Sequence, residues 1–499
     1  MLHGVGRGDH ILAIDQGTTS TRAILFDSEA RPIRVAQREL EQHYPTGGHV
    51  EHDPEAIWAD TLAVAREALS AIAPDRVAGI GIANQRETIV LWDRATGEPV
   101  HRAIVWQDRR TADECARLKA EGAEELVRDK AGLLLDPYFS ATKIAWVLDH
   151  VPGARASAER GELVCGTIDC FLLWRLTGGA VHATDVTNAA RTSLLDIREG
   201  CWDEKLCRLF RVPMALLPQV HDNSRSFGVT APGLFDRQLP IGGMAGDQQA
   251  ALFGQACFAP GMTKSTYGTG CFMLVNTGPE PVMSKHRLLT TPAYRLAGET
   301  TYALEGSIFV AGAAVKWLRD GLGVIADAAD TDSMATQVSD SHGVYMVPAF
   351  VGLGAPHWEP DVRGAIFGLT LDATAAHLAR AALEAVAYQT LDLAEAMERD
   401  GAPHAGTIRI DGGMAANSWL CQFLADILDC SVERSRNLET TSLGAAFLAG
   451  LATGVWPHLH ALTRTWDAQD RFEPAMPHRQ RKRLVAGWRN AVARTLCRR

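Results

Sequence analysis

At 499 residues the chain is too long for one ordinary core, which implies two or more domains. Its 46 % hydrophobic and 22 % charged residues are those of a soluble globular protein, and no stretch is long and apolar enough to span a bilayer. A net charge of −10 argues against general nucleic-acid binding, and ten scattered cysteines without a C-x-x-C pair argue against a disulfide framework or a zinc site.

The opening MLHGVGRGDH has no apolar signal core, so a cytoplasmic protein is expected. Ile11 to Phe26 (ILAIDQGTTSTRAILF) reads as strand, tight turn, strand. Its turn sets the Asp15 carboxylate beside the hydroxyls of Thr18, Thr19 and Ser20, with the Arg22 charge next to them. Such a turn suits a metal-bound polyphosphate, its N–H groups holding phosphate and its carboxylate holding Mg²⁺; an ordinary polar hairpin accounts for the same residues.

Glu51 to Ala71 predicts a helix opened by Asp53-Pro54. Val77 to Ala83 is a buried strand running into the polar cluster Asn84–Thr88. There Arg86 and Glu87 offer a donor and an acceptor to adjacent hydroxyls, or else form a surface ion pair. Strands alternating with helices indicate an α/β fold, which binds ligands at the carboxyl ends of its strands. Gln107-Asp108 opens a helix to about Lys119, Tyr138 to His150 begins another, and Thr184 to Leu195 reads as a loop or edge element. Asp247, at the start of an alanine-rich helix, is either an N-cap or a base beside a cleft.

Near Gly261 the chain begins again. Met262 to Val275 repeats strand, glycine turn (Gly268-Thr269-Gly270), strand, which points to two similar α/β lobes clamping one nucleotide. A short strand at Thr301 to Glu305, an apolar helix from Ile308 to Leu318 opened by Gly306-Ser307, and a long helix from His377 to Arg399 follow. Thr407 to Gly413 ends in Asp411-Gly412-Gly413, with Asn417 in the first turn of the next helix. That turn either admits a flat adenine to the backbone or serves packing alone. The basic run at 479–483 (RQRKR) reads as a solvated helix face in a helical tail. No G-x-x-x-x-G-K-[ST] loop and no G-x-G-x-x-G is present, so phosphate chemistry falls to turns, backbone donors and Mg²⁺.

Taken in order, DQGTTSTR (15–22), NQRET (84–88), WQDRRTA (106–112), DPYFSATK (136–143), GDQQAALFGQ (246–255), TYGTGCF (266–272), FVGLGAPHW (350–358), GAIFGLTLDATAAHLARAALE (364–384) and DGGMAAN (411–417) resemble the FGGY carbohydrate kinases. The resemblance covers about residues 11–456. It implies two actin-like (ribonuclease H-like) domains around a cleft, 9–256 binding the polyol and 257–499 binding ATP. It further implies phosphorylation of a small molecule, glycerol, by Mg²⁺-ATP, in a homo-oligomer of two or four copies. By motif, Arg86, Glu87, Trp106, Tyr138, Asp247, Gln248 and Phe272 resemble the polyol contacts, with Asp247 as general base. Thr18, Thr19, Ser20, Arg22, Thr269, Gly312, Lys316, Gly413 and Asn417 resemble the ATP contacts, and Asp15 with Asp247 would lie near the metal. Lys316 stands where some members carry Gln. Thr230 to Pro240 lacks the Gly-rich, Arg-bearing loop that binds fructose 1,6-bisphosphate in regulated bacterial members. A kinase of xylulose or gluconate, an actin-like nucleotide switch and a sugar-sensing regulator are the alternatives, separable by ADP release over a panel of polyols.

Overall fold

The computed structural model describes residues 8–359 and 361–497. Residues 1–7, most of the stretch read as lacking a signal core, and the last two residues of the second expected domain lie outside them. Among the described residues no helix is long and apolar enough to cross a membrane.

Two large sheets repeat one plan. In the first, β1 (His10–Gln16) and β2 (Ser20–Phe26) form an antiparallel hairpin that pairs Asp15 with Arg22. β3 (Pro32–Glu39) lies antiparallel to β2 at one edge. β4 (Val77–Asn84) runs parallel to β1, β5 (Ser224–Val229) forms the other edge, and β6 (Pro240–Gly246) runs parallel to β4. The order is β5-β6-β4-β1-β2-β3. In the second, β7 (Thr263–Tyr267) and β8 (Cys271–Gly278) are the hairpin. β9 (Leu289–Leu296) and β10 (Glu299–Ile308) extend it on one side. β11 (Thr407–Asp411) and β12 (Ser431–Ser435) run parallel to β7 on the other side, and β13 (Ala468–Phe472) closes that edge. The order is β9-β10-β8-β7-β11-β12-β13, so both sheets hold the sequence antiparallel, hairpin, parallel, parallel, antiparallel. Ile11, Leu12, Ala13 and Ile14 are fully buried because this central strand is covered on both faces.

Helices cover the sheets: α1 (Pro54–Leu69), α2 (Ser140–His150), α3 (Asp247–Gly254), α4 (Gly312–Asp320), α5 (Ala375–Arg399), α6 (Ser418–Leu428), α7 (Thr440–Thr453) and α8 (His478–Leu496). α1 starts where its cap dictates: the Asp53 side chain accepts from the Glu55 N–H at 2.9 Å, and Pro54 fills a position that needs no donor. α7 comes from the second half of the chain yet packs on the first sheet. A Cβ on Gly444 would sit 1.8 Å from the Ala250 carbonyl oxygen on α3, and one on Gly254 would sit 2.0 Å from that of Thr440, so only glycine permits this approach. Ile11, Ala13, Ile24 and Phe26 accordingly share a core with Leu443, Ala445, Phe447 and Leu448.

Four segments differ from the sequence reading. The helix expected to open at Gln107-Asp108 starts only at Ala112. Glu51–His52 is a short strand, and only then does the helix begin. Thr184 to Leu195 does begin in an edge strand, of a two-stranded sheet, but continues as a helical turn and a 3₁₀ turn and is buried throughout. It is polar because its groups pair inside: Asn188 Nδ2 donates to Asp185 Oδ2 at 2.6 Å, and Thr184 Oγ1 to Asp169 Oδ2 at 2.6 Å. The helix expected from Ile308 starts at Gly312, because Gly306 and Ser307 are paired with Met273 and Phe272 inside β10. All ten cysteines are unbridged, eight of them buried.

Candidate active site

The residues read from the first half converge at the ends of β1, β4 and β6. After β4 the chain turns sharply: the Thr88 N–H donates to the Arg86 carbonyl at 2.7 Å, and Glu87 takes φ 61°. A non-glycine residue is held in that region only by its surroundings. Here the Ser140 hydroxyl at the start of α2 donates to the Glu87 carbonyl at 3.0 Å. Trp106 Nε1 donates to Thr18 Oγ1 at 2.8 Å, which ties the first hairpin tip to an edge-to-face Trp106–Tyr138 pair with centroids 5.5 Å apart. Lys143 Nζ donates to the Tyr138 carbonyl at 2.6 Å, and burial lowers its pKa to about 8.

Arg86 is the hub. Its Nε lies 3.0 Å from Asp247 Oδ1, its Nη1 and Nη2 donate to the two oxygens of Glu305 at 2.6 and 2.9 Å, and its guanidinium stands 6.0 Å from the Phe272 ring centroid. Arg191 donates through Nε to Glu87 Oε1 at 2.6 Å and through Nη2 to Glu305 Oε1 at 3.1 Å. Burial by itself would raise the Glu305 carboxyl, but Arg191 and Arg86 outweigh it and hold it down at about 2. Burial raises Glu87 despite the same two arginines.

Asp247 is the first residue of α3, with Gly246 as the cap, and its Oδ1 accepts from the Gln248 N–H at 2.7 Å. Burial raises its pKa against the pull of Arg86. Burial likewise lifts Asp15 to about 7, with Arg22 opposing and the nearby Asp247 charge adding to the rise. Burial outweighs Arg86 at Asp247 and Arg22 at Asp15, so two neighbouring carboxylates keep raised proton affinity, and that donor set fits Mg²⁺, which takes one or two carboxylates and completes its shell with water and phosphate. Among the described residues no group of three or more His, Cys, Asp or Glu side chains forms a closed metal site.

From the second half, Lys264 on β7 donates to Gln248 Oε1 and, at 2.9 Å, to Thr266 Oγ1, reaching from the second sheet to the start of α3. The second hairpin tip is pinned on α4: the Gly312 N–H donates to the Gly268 carbonyl at 3.0 Å, and the Ala311 and Ala313 N–H groups to that of Thr269 at 2.9 and 3.1 Å. A Cβ on Gly412 (φ 86°) would lie 2.5 Å from the Tyr267 carbonyl oxygen, so the Gly412-Gly413 turn abuts the same hairpin. Gly413 is exposed, and a Cβ there would meet no heavy atom within 4 Å.

The structure therefore gathers Asp15, Thr18, Arg86, Glu87, Trp106, Tyr138, Asp247, Gln248 and Phe272 into one cluster. Thr269, Gly312 and Gly413 form a second, joined to the first through β7 and β8. Thr19 is exposed and Ser20 half-buried at the first tip. Arg22 is paired with Glu439 and donates to Gln37 at 2.9 Å, so it must leave Glu439 to reach a phosphate. Asn417 caps α6, its side chain accepting from the Leu420 N–H at 2.8 Å, and Lys316 lies exposed on α4. Sequence reasoning missed Arg191, Lys264 and Glu305. Each is a lone charge in a small or apolar run, and a charge that is fully buried needs a partner.

Residues 10–254 match the N-terminal domain of the FGGY family of carbohydrate kinases, and residues 263–453 match its C-terminal domain. The chain is 62 % identical over 493 residues to the glycerol kinase of Gluconobacter oxydans, covering 99 % of this chain and 96 % of that one. It is 61 % identical to the glycerol kinase of Rhodospirillum centenum, over 98 % and 99 % of the two chains. The crystal structure of Plasmodium falciparum glycerol kinase with ADP is similar at a TM-score of 0.93 and 37 % identity, over 99 % of this chain and 100 % of that one. Gluconate kinase from Lactobacillus acidophilus shares the fold, with a TM-score of 0.88 at 21 % identity over 97 % and 98 % of the chains.

Proposed function

This chain belongs to the FGGY family of carbohydrate kinases, and we propose that it transfers the γ-phosphoryl group of ATP to a terminal hydroxyl of glycerol, giving sn-glycerol 3-phosphate. The observation that carries the choice of glycerol is the 62 % identity to a glycerol kinase along 99 % of the chain, against 21 % to a gluconate kinase of the same fold. The expected domain division, 9–256 around the polyol and 257–499 around the nucleotide, belongs to this reading.

In the reaction, Arg86 and Glu87 grip two hydroxyls of the triol, with Gln248 and the Tyr138 hydroxyl completing the polar wall. Trp106 and Phe272 flank its carbon skeleton. Asp247 accepts the proton of the attacking hydroxyl. The Gln248 N–H and Arg86 Nε orient its carboxylate, at 2.7 and 3.0 Å, and burial keeps it basic. The transition state of phosphoryl transfer is loose, so the protein chiefly positions and neutralises charge. Backbone N–H groups and hydroxyls of Thr18, Thr19, Ser20 and Thr269 line the phosphate path, Arg22 adds charge once released from Glu439, and Gly312, Lys316, Gly413 and Asn417 border the nucleoside. Mg²⁺, held by Asp15 and Asp247, supplies charge neutralisation at the phosphates when bound. Closure of the two lobes excludes water, and identical scattering profiles with and without both ligands would count against it.

Unbridged, largely buried thiols suit a reducing compartment, so the reading includes a cytoplasmic location, and also assembly of two or four copies, which light scattering checks. The test of the whole is a coupled ADP-release assay over glycerol, xylulose, gluconate and longer polyols. Glycerol is expected to give the highest kcat/KM, and ATP turnover that is independent of any polyol would overturn the proposal.

A further inference from the structure

Arg86 and Glu87, the pair assigned to the polyol hydroxyls, are themselves gripped by two residues from distant parts of the chain. Glu305 on β10 of the second sheet is fully buried and takes both Nη groups of Arg86, at 2.6 and 2.9 Å. The same carboxylate accepts from Arg191 Nη2 at 3.1 Å, and Arg191 Nε donates to Glu87 Oε1 at 2.6 Å. Glu87 Oε1 lies 3.9 Å from Arg86 Nε, which closes a ring of two cations and two anions. We infer that Glu305 and Arg191 are the positioning pair of the polyol site, Glu305 setting the plane of the Arg86 guanidinium and Arg191 setting the Glu87 carboxylate. The inference rests on the proposed polyol role of Arg86 and Glu87.

The geometry argues for orientation over simple burial. A guanidinium held through both Nη atoms by one carboxylate is locked in that plane. This hold leaves the Arg86 Nε edge toward Asp247, 3.0 Å away. Arg191 engages Oε1 of Glu87 and no other oxygen of that carboxylate. It is braced in turn by the rings of Tyr138 and Phe139, whose centroids lie 5.7 and 5.3 Å from its guanidinium carbon. Glu305 also keeps two buried guanidiniums from repelling each other. Without its charge, Arg191 keeps Glu87 while Arg86 keeps Asp247 and the Gln249 Oε1 acceptor at 3.2 Å, and Arg86 turns toward these. A rotated donor then meets the substrate hydroxyls at poor angles, which weakens binding of the polyol and leaves the nucleotide untouched.

The test is steady-state kinetics of Glu305→Gln, Arg191→Gln and the double variant, with Arg86→Ala as control and melting temperatures measured alongside. Glu305→Gln is expected to raise the glycerol KM by about ten-fold or more while the ATP KM stays within about two-fold. The double variant should be little worse than Glu305→Gln, as expected of residues acting as a unit. A folded Glu305→Gln enzyme with unchanged glycerol KM, or one whose two KM values rise together, overturns the inference, provided that Arg86→Ala raises the glycerol KM. If Arg86→Ala leaves the glycerol KM unchanged, the reading of the polyol site fails instead. Should Glu305→Gln not fold, Glu305→Asp keeps the charge one methylene further back. A raised glycerol KM in that variant supports the inference, and an unchanged one overturns it.

Discussion

The two large sheets place corresponding strands beside their hairpins, β4 parallel to β1 and β11 parallel to β7, and then end those strands with opposite chemistry. After β4 come Arg86 and Glu87, buried and clamped; after β11 come Gly412 and Gly413, with open space where a Cβ of Gly413 would point. The next strands diverge as well. β6 leads into Asp247, inside the cluster, whereas β12 leads into Arg436, an exposed residue paired with Asp467 at 2.8 Å. One scaffold position thus carries fixed charge in the first sheet and bare backbone in the second, which under the proposed function serve the polyol hydroxyls and the flat base respectively. A triol offers only donors and acceptors, which strong charged partners recognise. A purine offers a face, which an uncrowded main chain admits.

The comparison breaks most visibly at Asp247. Asp247→Asn is expected to lower kcat by ~10²–10⁴ while ATP still binds, and near-normal turnover would reject its role as base. Arg86→Ala comes next. Loss of a charge-assisted pair costs about 1.5–3 kcal/mol, so the glycerol KM should rise by ~10–100-fold with little change in the ATP KM. Gly413→Val sharpens the other side: with no protein atom in the way the fold should tolerate it, yet the ATP KM should rise by about ten-fold if adenine lies on that turn. An unaltered ATP KM would move the nucleotide elsewhere.

The smallest effect concerns what stands behind the charged strand ends. Burial raises both Asp169 and Asp185, which are satisfied by hydroxyls and amides and have no cation. A carboxyl whose folded pKa lies above its unfolded value stabilises the fold while protonated. As pH rises from about 4 toward neutrality the unfolded state gives up its proton first, and that stability is lost. Urea midpoints at pH 5 and pH 8 should therefore differ less in Asp169→Asn than in the parent, and an equal difference would refute the assignment.

Much of this was legible in the chain. The Ile11–Phe26 hairpin and its echo at 262–275 read correctly because a short apolar run, a glycine turn and a second apolar run are local signals. Arg86-Glu87 and Gly412-Gly413 stood out as polar or glycine clusters at strand ends. Glu305 did not, because one carboxylate in TYALEGSIFV acquires meaning only when β10 pairs with β8 and faces two arginines from turns in the first half of the chain. Thr184 to Leu195 misled for a related reason. Polar residues signal exposure until their partners, here Asn84, Asp169 and Asn223, are known to lie beside them.

By itself the sequence determined the strand–turn–strand units, the duplicated α/β plan and the chemistry of each strand end, since these follow from periodicity and residue type over a few positions. Tertiary structure alone decided which charges oppose one another. It set α7 against the first sheet, brought Glu305 and Arg191 onto Arg86 and Glu87, and drew Arg22 onto Glu439. The physical reason is that a buried charge is defined by its partners, and those partners stand more than a hundred residues away along the chain.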